Sequence, residues 1–148
     1  GIGAVAPDFS IITIKGDTMQ LSSLRGKTVL LNFWSPRCED CIALNERLKV
    51  RYEKYGPMGF DILNIAVEDN EEFWKKSVKA LNMPWHQGND LKGPNSPILS
   101  MYKIGDNVPY TLLLDKEGRI ITKGLSQDSL LVQIRYLFTG SVSLPKTE

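Results

Sequence analysis

The stretch TVLLNFWSPRCEDC, Thr28 to Cys41, decides how the rest of the chain is read. Its first half is a continuous apolar run, which suits a strand covered on both faces, as in a parallel sheet. Pro36 follows, and then the spacing changes. Cys41, Leu44, Leu48, Tyr52 and Tyr55 recur at intervals of three and four and so share one helical face. Gly56-Pro57 stops that helix. A buried strand therefore hands over to a helix at Cys-Glu-Asp-Cys.

Working outward, FSIITI and TMQLSSL flank Gly16-Asp17 and read as an N-terminal hairpin. FDILNIAV (60–67) is a second buried strand, and EEFWKKSVKAL a second helix with acids in its first turn. HQGNDLKGPNSP (86–97) reads as a loop, in which His86 is a plain loop residue. Ser96 can cap a short helix with Pro97 at its first position and Ile98, Met101 and Tyr102 facing inward. YTLLLD and RIITKG flank Lys116-Glu117-Gly118 as a hairpin, and Ser126 caps a last helix with an apolar stripe of Leu130, Leu131, Ile134, Leu137 and Phe138. This order predicts an α/β fold: a mixed central sheet with helices on both faces and a hairpin extension at the N-terminus. Residues 1–140 are expected to form one domain and residues 141–148 a polar tail.

The 148 residues are 42% hydrophobic and 24% charged with net charge +1. No basic stripe asks for nucleic acid or an anionic membrane. No apolar stretch reaches the roughly 18 residues of a membrane helix. The chain opens GIGAVAPDF without an initiator Met or a charged segment followed by an apolar one. The expectation is a chain trimmed from a longer precursor, with no signal peptide of its own.

Two cysteines in a domain of this size make no disulfide framework, so their spacing carries the meaning. A helix N-terminus offers unpaired N–H groups and partial positive charge, which favour a thiolate. Thiolate is the attacking species in disulfide exchange. Cys41 falls on the inward stripe, and Cys38 sits one turn earlier at the helix mouth. Cys38 is therefore the candidate nucleophile and Cys41 the resolving thiol. A zinc site normally needs four ligands, against two cysteines and one distant histidine here. A static staple across two residues would constrain the unfolded chain little. Two other classes stay open. A thiol peroxidase is suggested by APDF and by Ser35 three residues before Cys38, as in peroxiredoxins; Leu31 stands where those enzymes carry proline. A redox-inert interaction domain is the other.

APDFSIITIKGDTMQLSSLRGK, VLLNFWSPRCEDC and VPYTLLLDKEGRII, in this order, resemble the thioredoxin fold. Within it they resemble the TlpA/ResA-like thiol-disulfide oxidoreductases of bacterial cell envelopes, relatives of the AhpC/TSA redoxins. The likeness spans nearly the whole chain. It implies an enzyme exchanging protein disulfides without a cofactor, a separate electron-donating redox partner, an envelope or periplasmic location and a membrane tether in the precursor. Pro109 matches the family's cis-proline facing the cysteines. Glu68 falls where some members hold a carboxylate near them; half-buried with a raised pKa it would move protons to and from the thiols, and otherwise it is a solvated acid opening the loop EDNEE. Many relatives carry Trp before the first cysteine and Pro before the second, where this chain has Arg37 and Asp40. Arg37 should favour a Cys38 thiolate while Glu39 and Asp40 oppose it, so the resemblance and charges together suggest a rather reducing couple. Trp34, Trp74 and Trp85 are expected to be core residues.

Overall fold

The computed structural model describes residues 1–143. The expected polar tail lies mostly beyond them.

Strand β3 (Thr28–Trp34) is the axis of the molecule. It pairs in parallel with β4 (Phe60–Ala66) and antiparallel with β6 (Tyr110–Leu114). The five-stranded sheet is completed by β5 (His86–Gly88) beside β4 and β7 (Ile120–Lys123) beside β6. Alternate residues of β3 enter two separate cores. Leu30 and Trp34 pack with Leu44 and Leu48 of α1 (Glu39–Tyr55), Trp74 and Val78 of α2 (Glu71–Leu81) and Leu130, Leu131 and Ile134 of α4 (Gln127–Thr139). Val29, Leu31 and Phe33 pack on the other side against Ile98 and Leu99 of α3 (Pro97–Tyr102) and against Phe9, Ile11, Leu21 and Leu24 from the N-terminal region. Each such side chain contributes about 1.5–3 kcal/mol when fully buried, so the double cover of β3 is the largest single source of cohesion.

The N-terminal hairpin joins β1 (Ser10–Ile12) to β2 (Thr18–Gln20). The segment after Gln20 is a 3₁₀ turn, Leu21–Leu24, rather than more strand, because Leu21 and Leu24 must both face the core. Helix starts follow the expected caps: the side chains of Asn70, Ser96 and Ser126 accept N–H groups of the first turns of α2, α3 and α4.

Three features differ from the sequence reading. HQG is not loop but an edge strand, paired through Leu63↔His86 and Asn64↔Gln87. Three residues with a glycine carry no periodic signal; their order comes from β4 on one side and from Thr13 of the hairpin, bridged to Gly88, on the other. Gly88 is required there, since a Cβ would stand 2.9 Å from Ile11 Cδ1. In α3 it is Leu99 that turns inward, while Met101 is 42% exposed; a six-residue helix has too few turns for its stripe to be read from spacing. Finally, the first residues form a strap along β7. Gly3 N–H donates to the Ile120 carbonyl, Ile120 N–H to Ala4 and Ala6 N–H to Gly118. Hairpin and strap together cover both sheet edges, which would otherwise expose unpaired backbone.

His86 also has a partner. Its Nε2 lies 2.9 Å from Oδ2 of Asp61, a carboxylate buried at the start of β4. Burial pushes the Asp61 carboxyl up. The hydrogen bond and charge of His86, the Ile62 N–H and Lys27 together bring it below its ordinary value. The stability this network supplies is therefore present above the unfolded Asp range, near pH 3.9, and is lost as pH falls through the lower folded value. His86→Ala should cost roughly 1–3 kcal/mol in urea denaturation at pH 7 by leaving Asp61 short of a partner. An unchanged midpoint would show the contact to be idle.

Candidate active site

The two cysteines meet at the carboxyl end of β3. Cys38 is the N-cap of α1, in extended conformation, and its Sγ accepts the backbone N–H of Cys41 at 3.1 Å. Cys41 lies one turn in and is fully buried in the helix-side core, whereas Cys38 is partly exposed. The two sulfurs are joined as a disulfide, with Cα atoms 5.2 Å apart. The helix thus presents one sulfur to the outside and shelters the other.

Pro109 faces this pair from the start of β6. The Val108–Pro109 peptide bond is cis, and the Val108 carbonyl oxygen stands 3.7 Å from Cys38 Sγ. A disulfide sulfur carries no proton, so this is a contact; in the dithiol state the same oxygen can accept from the thiol. Between Asp40, Leu44, Pro109, Thr111 and the start of α4 runs a small groove of about 160 Å³. The Gln127 side chain closes one end by donating to the Asp40 carbonyl.

Glu68 is buried just past β4, with Asn70 N–H donating to Oε2. Its principal partner is Arg37, whose Nε and Nη2 reach Oε1 and Oε2 at 2.8 and 3.1 Å. The guanidinium also lies over the Phe73 ring, 4.4 Å from its centroid. The sequence leaves Glu68 open between a proton carrier of raised pKa and a solvated acid, and it is neither: it is buried and ion-paired. The Arg37 hydrogen bonds instead hold the carboxyl below its ordinary value, outweighing burial, with help from the Asn70 N–H and the Arg37 charge. Arg37 differs from expectation for the same reason: its charge is committed to Glu68 rather than left for Cys38. Residues 31 apart in sequence give no local sign of such pairing.

Trp34 is fully buried among core residues, and Trp74 and Trp85 are buried as well. Among the described residues no group of three or more His, Cys, Asp and Glu side chains assembles as a metal site.

The sequence reading passed over three asparagines. Asn32 of β3, Asn64 of β4 and Asn45 of α1 are all fully buried and bond to one another at 3.0 Å. Asn45 Nδ2 continues to the carbonyl of Cys41, also at 3.0 Å. A signal was available. Each of the apolar runs TVLLNFW and FDILNIA is broken by one Asn at its fifth position, and a polar group in a doubly covered strand must find a partner.

This arrangement has known counterparts. The profile of the AhpC/TSA family matches residues 2–123. The thiol-disulfide oxidoreductase ResA of a Bacillus cereus strain is 30% identical over 128 residues, which cover 86% of this chain and 72% of that protein. ResA of Geobacillus kaustophilus is 30% identical over 132 residues, covering 87% and 74%. Among solved structures, the thioredoxin domain of a thiol-disulfide oxidoreductase from Bacteroides vulgatus superposes with TM-score 0.84 and 31% identity, over 93% of this chain and 97% of that one. A thiol:disulfide interchange protein from Bacteroides sp. gives 0.83 and 29%, over 99% and 95%. With a thioredoxin-like sheet, a Cys-x-x-Cys disulfide capping its first long helix and relatives of this kind along most of its length, the chain belongs to the AhpC/TSA family and, within it, to the ResA-like thiol-disulfide oxidoreductases.

Proposed function

We propose that this thiol-disulfide oxidoreductase works as a reductant of protein disulfides in a bacterial cell envelope, with Cys38 as nucleophile and Cys41 as resolving thiol. One observation carries the reading above the others: the accessible sulfur is the one at the helix mouth, receiving a backbone N–H, and the sheltered sulfur lies within bonding reach of it. The Cys38 thiolate attacks one sulfur of a substrate disulfide, and the other substrate sulfur leaves as a thiolate. Cys41, losing its proton, then attacks Cys38 Sγ and expels the second substrate sulfur. Two electrons pass to the substrate, which becomes a dithiol, and the enzyme is left as its Cys38–Cys41 disulfide. A separate dithiol donor must restore it. The envelope location and a membrane tether in the precursor rest on likeness to the ResA-like proteins alone.

Pro109 would serve the substrate. The Val108 carbonyl stands beside Cys38, and an extended peptide bearing the target disulfide would lie along that backbone edge by hydrogen bonding. Glu68, held ionised by Arg37, suits positioning better than proton delivery. Its ion pair ties the turn carrying Cys38 to the loop after β4, and a carboxyl below its ordinary value has no proton to give near neutral pH.

The reducing direction follows from charge. With Arg37 engaged, the exposed carboxylates of Glu39 and Asp40 dominate the first turn of α1 and disfavour a thiolate at Cys38. Destabilising the reduced form's thiolate makes the pair a better electron donor.

Two outcomes test these statements. Cys41→Ser should accumulate a covalent adduct with client proteins, released by dithiothreitol and missing when Cys38 is also replaced. If no adduct forms, while hydrogen peroxide oxidises Cys38 far faster than a free thiol, the enzyme is a peroxidase instead. Asp40→Asn should move half-maximal alkylation of Cys38 to lower pH and make the couple more oxidising against glutathione. A shift the other way would refute the charge argument.

A further inference from the structure

Four strands contribute one polar side chain each to a single lateral row. Gln87, Asn64, Asn32 and Thr111 are direct neighbours in register across β5, β4, β3 and β6, and all are buried. The row lies on the sheet face that carries α1, and Asn45 reaches it from that helix. Asn45 Oδ1 accepts two N–H bonds, from Asn32 Nδ2 and Asn64 Nδ2, while Asn45 Nδ2 donates to the Cys41 carbonyl. The orientation of this amide is determined by its surroundings. Turned over, it would set its NH₂ against two other donors and its oxygen against a carbonyl.

A cluster of buried amides is a poor way to fill a core. An apolar side chain of similar size would pack there without the desolvation cost of about 1–3 kcal/mol that each unsatisfied polar group brings, and the Asn32 Oδ1 has no hydrogen-bond partner among the described residues. Of the three amides, Asn45 touches a redox sulfur's own residue. From this we infer that Asn45 is the positioning residue of the resolving cysteine: its side-chain N–H holds the Cys41 carbonyl, so that Cys41 stays aligned on Cys38 when no S–S bond joins them. The inference rests on the reading of Cys41 as the resolving thiol.

The consequence lies in the dithiol and mixed-disulfide states. With the disulfide closed, the bond itself restrains Cys41. Once it opens, Gln127 still holds the Asp40 carbonyl and the core still packs on Cys41, while the Asn45 bond holds the Cys41 carbonyl itself. A held Cys41 presents a higher effective concentration to Cys38, which favours closure and speeds release of the substrate. Loss of the tie should therefore weaken closure without touching either sulfur.

The isosteric pair Asn45→Thr and Asn45→Val separates this from general support of the core. Both variants lose the bonds to Asn32 and Asn64. Only threonine keeps a hydroxyl able to donate to the carbonyl four residues earlier, which is that of Cys41. In glutathione redox titration the Val variant should close its disulfide about fivefold less readily than the Thr variant, a potential about 20 mV more oxidising at 29.6 mV per tenfold change. Its mixed disulfide with glutathione at Cys38 should also live several-fold longer. Should the Val variant fail to fold, Asn45→Ser against Asn45→Ala poses the same question with smaller side chains. Equal potentials and equal lifetimes in the matched pair, in an enzyme whose wild type exchanges normally, would overturn the role of Asn45 alone. A wild type that forms no mixed disulfide would instead overturn the functional reading beneath it.

Discussion

The site depends on one constraint, the convergence of three chain segments at a single end of the central sheet. β3 and β4 run in parallel with Trp34 opposite Ala66, so both emerge at the same end. β6 runs antiparallel to β3 and begins there, with Tyr110 opposite Phe33. Arg37 lies three residues beyond Trp34, Glu68 two beyond Ala66, and Pro109 one before Tyr110. Cys38 follows Arg37 directly and caps α1. Cys38, the Glu68 carboxylate and the cis-proline Pro109 are far apart in sequence, and strand register brings them to one end. Function at the carboxyl ends of parallel strands is a general property of open α/β sheets; here an antiparallel neighbour adds its own first residue.

What could be read beforehand divides along this line. The strand at Thr28–Trp34, the helix from Glu39 and the burial of Cys41 beneath a partly exposed Cys38 are local: they follow from periodicity, from capping and from which helical face is apolar. So were α2 and the hairpin around Glu117-Gly118. The Arg37–Glu68 pair, the Asp61–His86 contact and the short strand at His86 were not legible, because each needs the register of β4 against a neighbour. The N-terminal strap was hidden for a related reason. GIGAVA has no alternation to show; it is ordered by backbone bonds to Gly118 and Ile120 and by the burial of one small side chain, Ala6.

The pairing of Arg37 with Glu68 changes the electrostatics that the sequence suggested. Counted by position, one cation and two carboxylates surround Cys38 and the sign is undecided. Counted by geometry, the cation is neutralised by a carboxylate that the turn does not contain, and its face is stacked on Phe73. Glu39 and Asp40 are left. They also favour the helix through its dipole. The same two residues thus favour α1 and place negative charge beside the accessible sulfur of the redox pair.

The chemistry of the inner sulfur asks for the opposite kind of support. A charged anchor under Cys41 would itself titrate or perturb the thiol, since a buried carboxylate close to a cysteine shifts both groups. An amide carries no charge at any working pH. It offers a donor to the Cys41 carbonyl and an acceptor to the strands below. Around the two sulfurs, the ionic groups Arg37, Glu39, Asp40 and Glu68 lie at the mouth, beside the accessible Cys38. Neutral hydrogen bonds lie beneath, where position matters and charge would interfere.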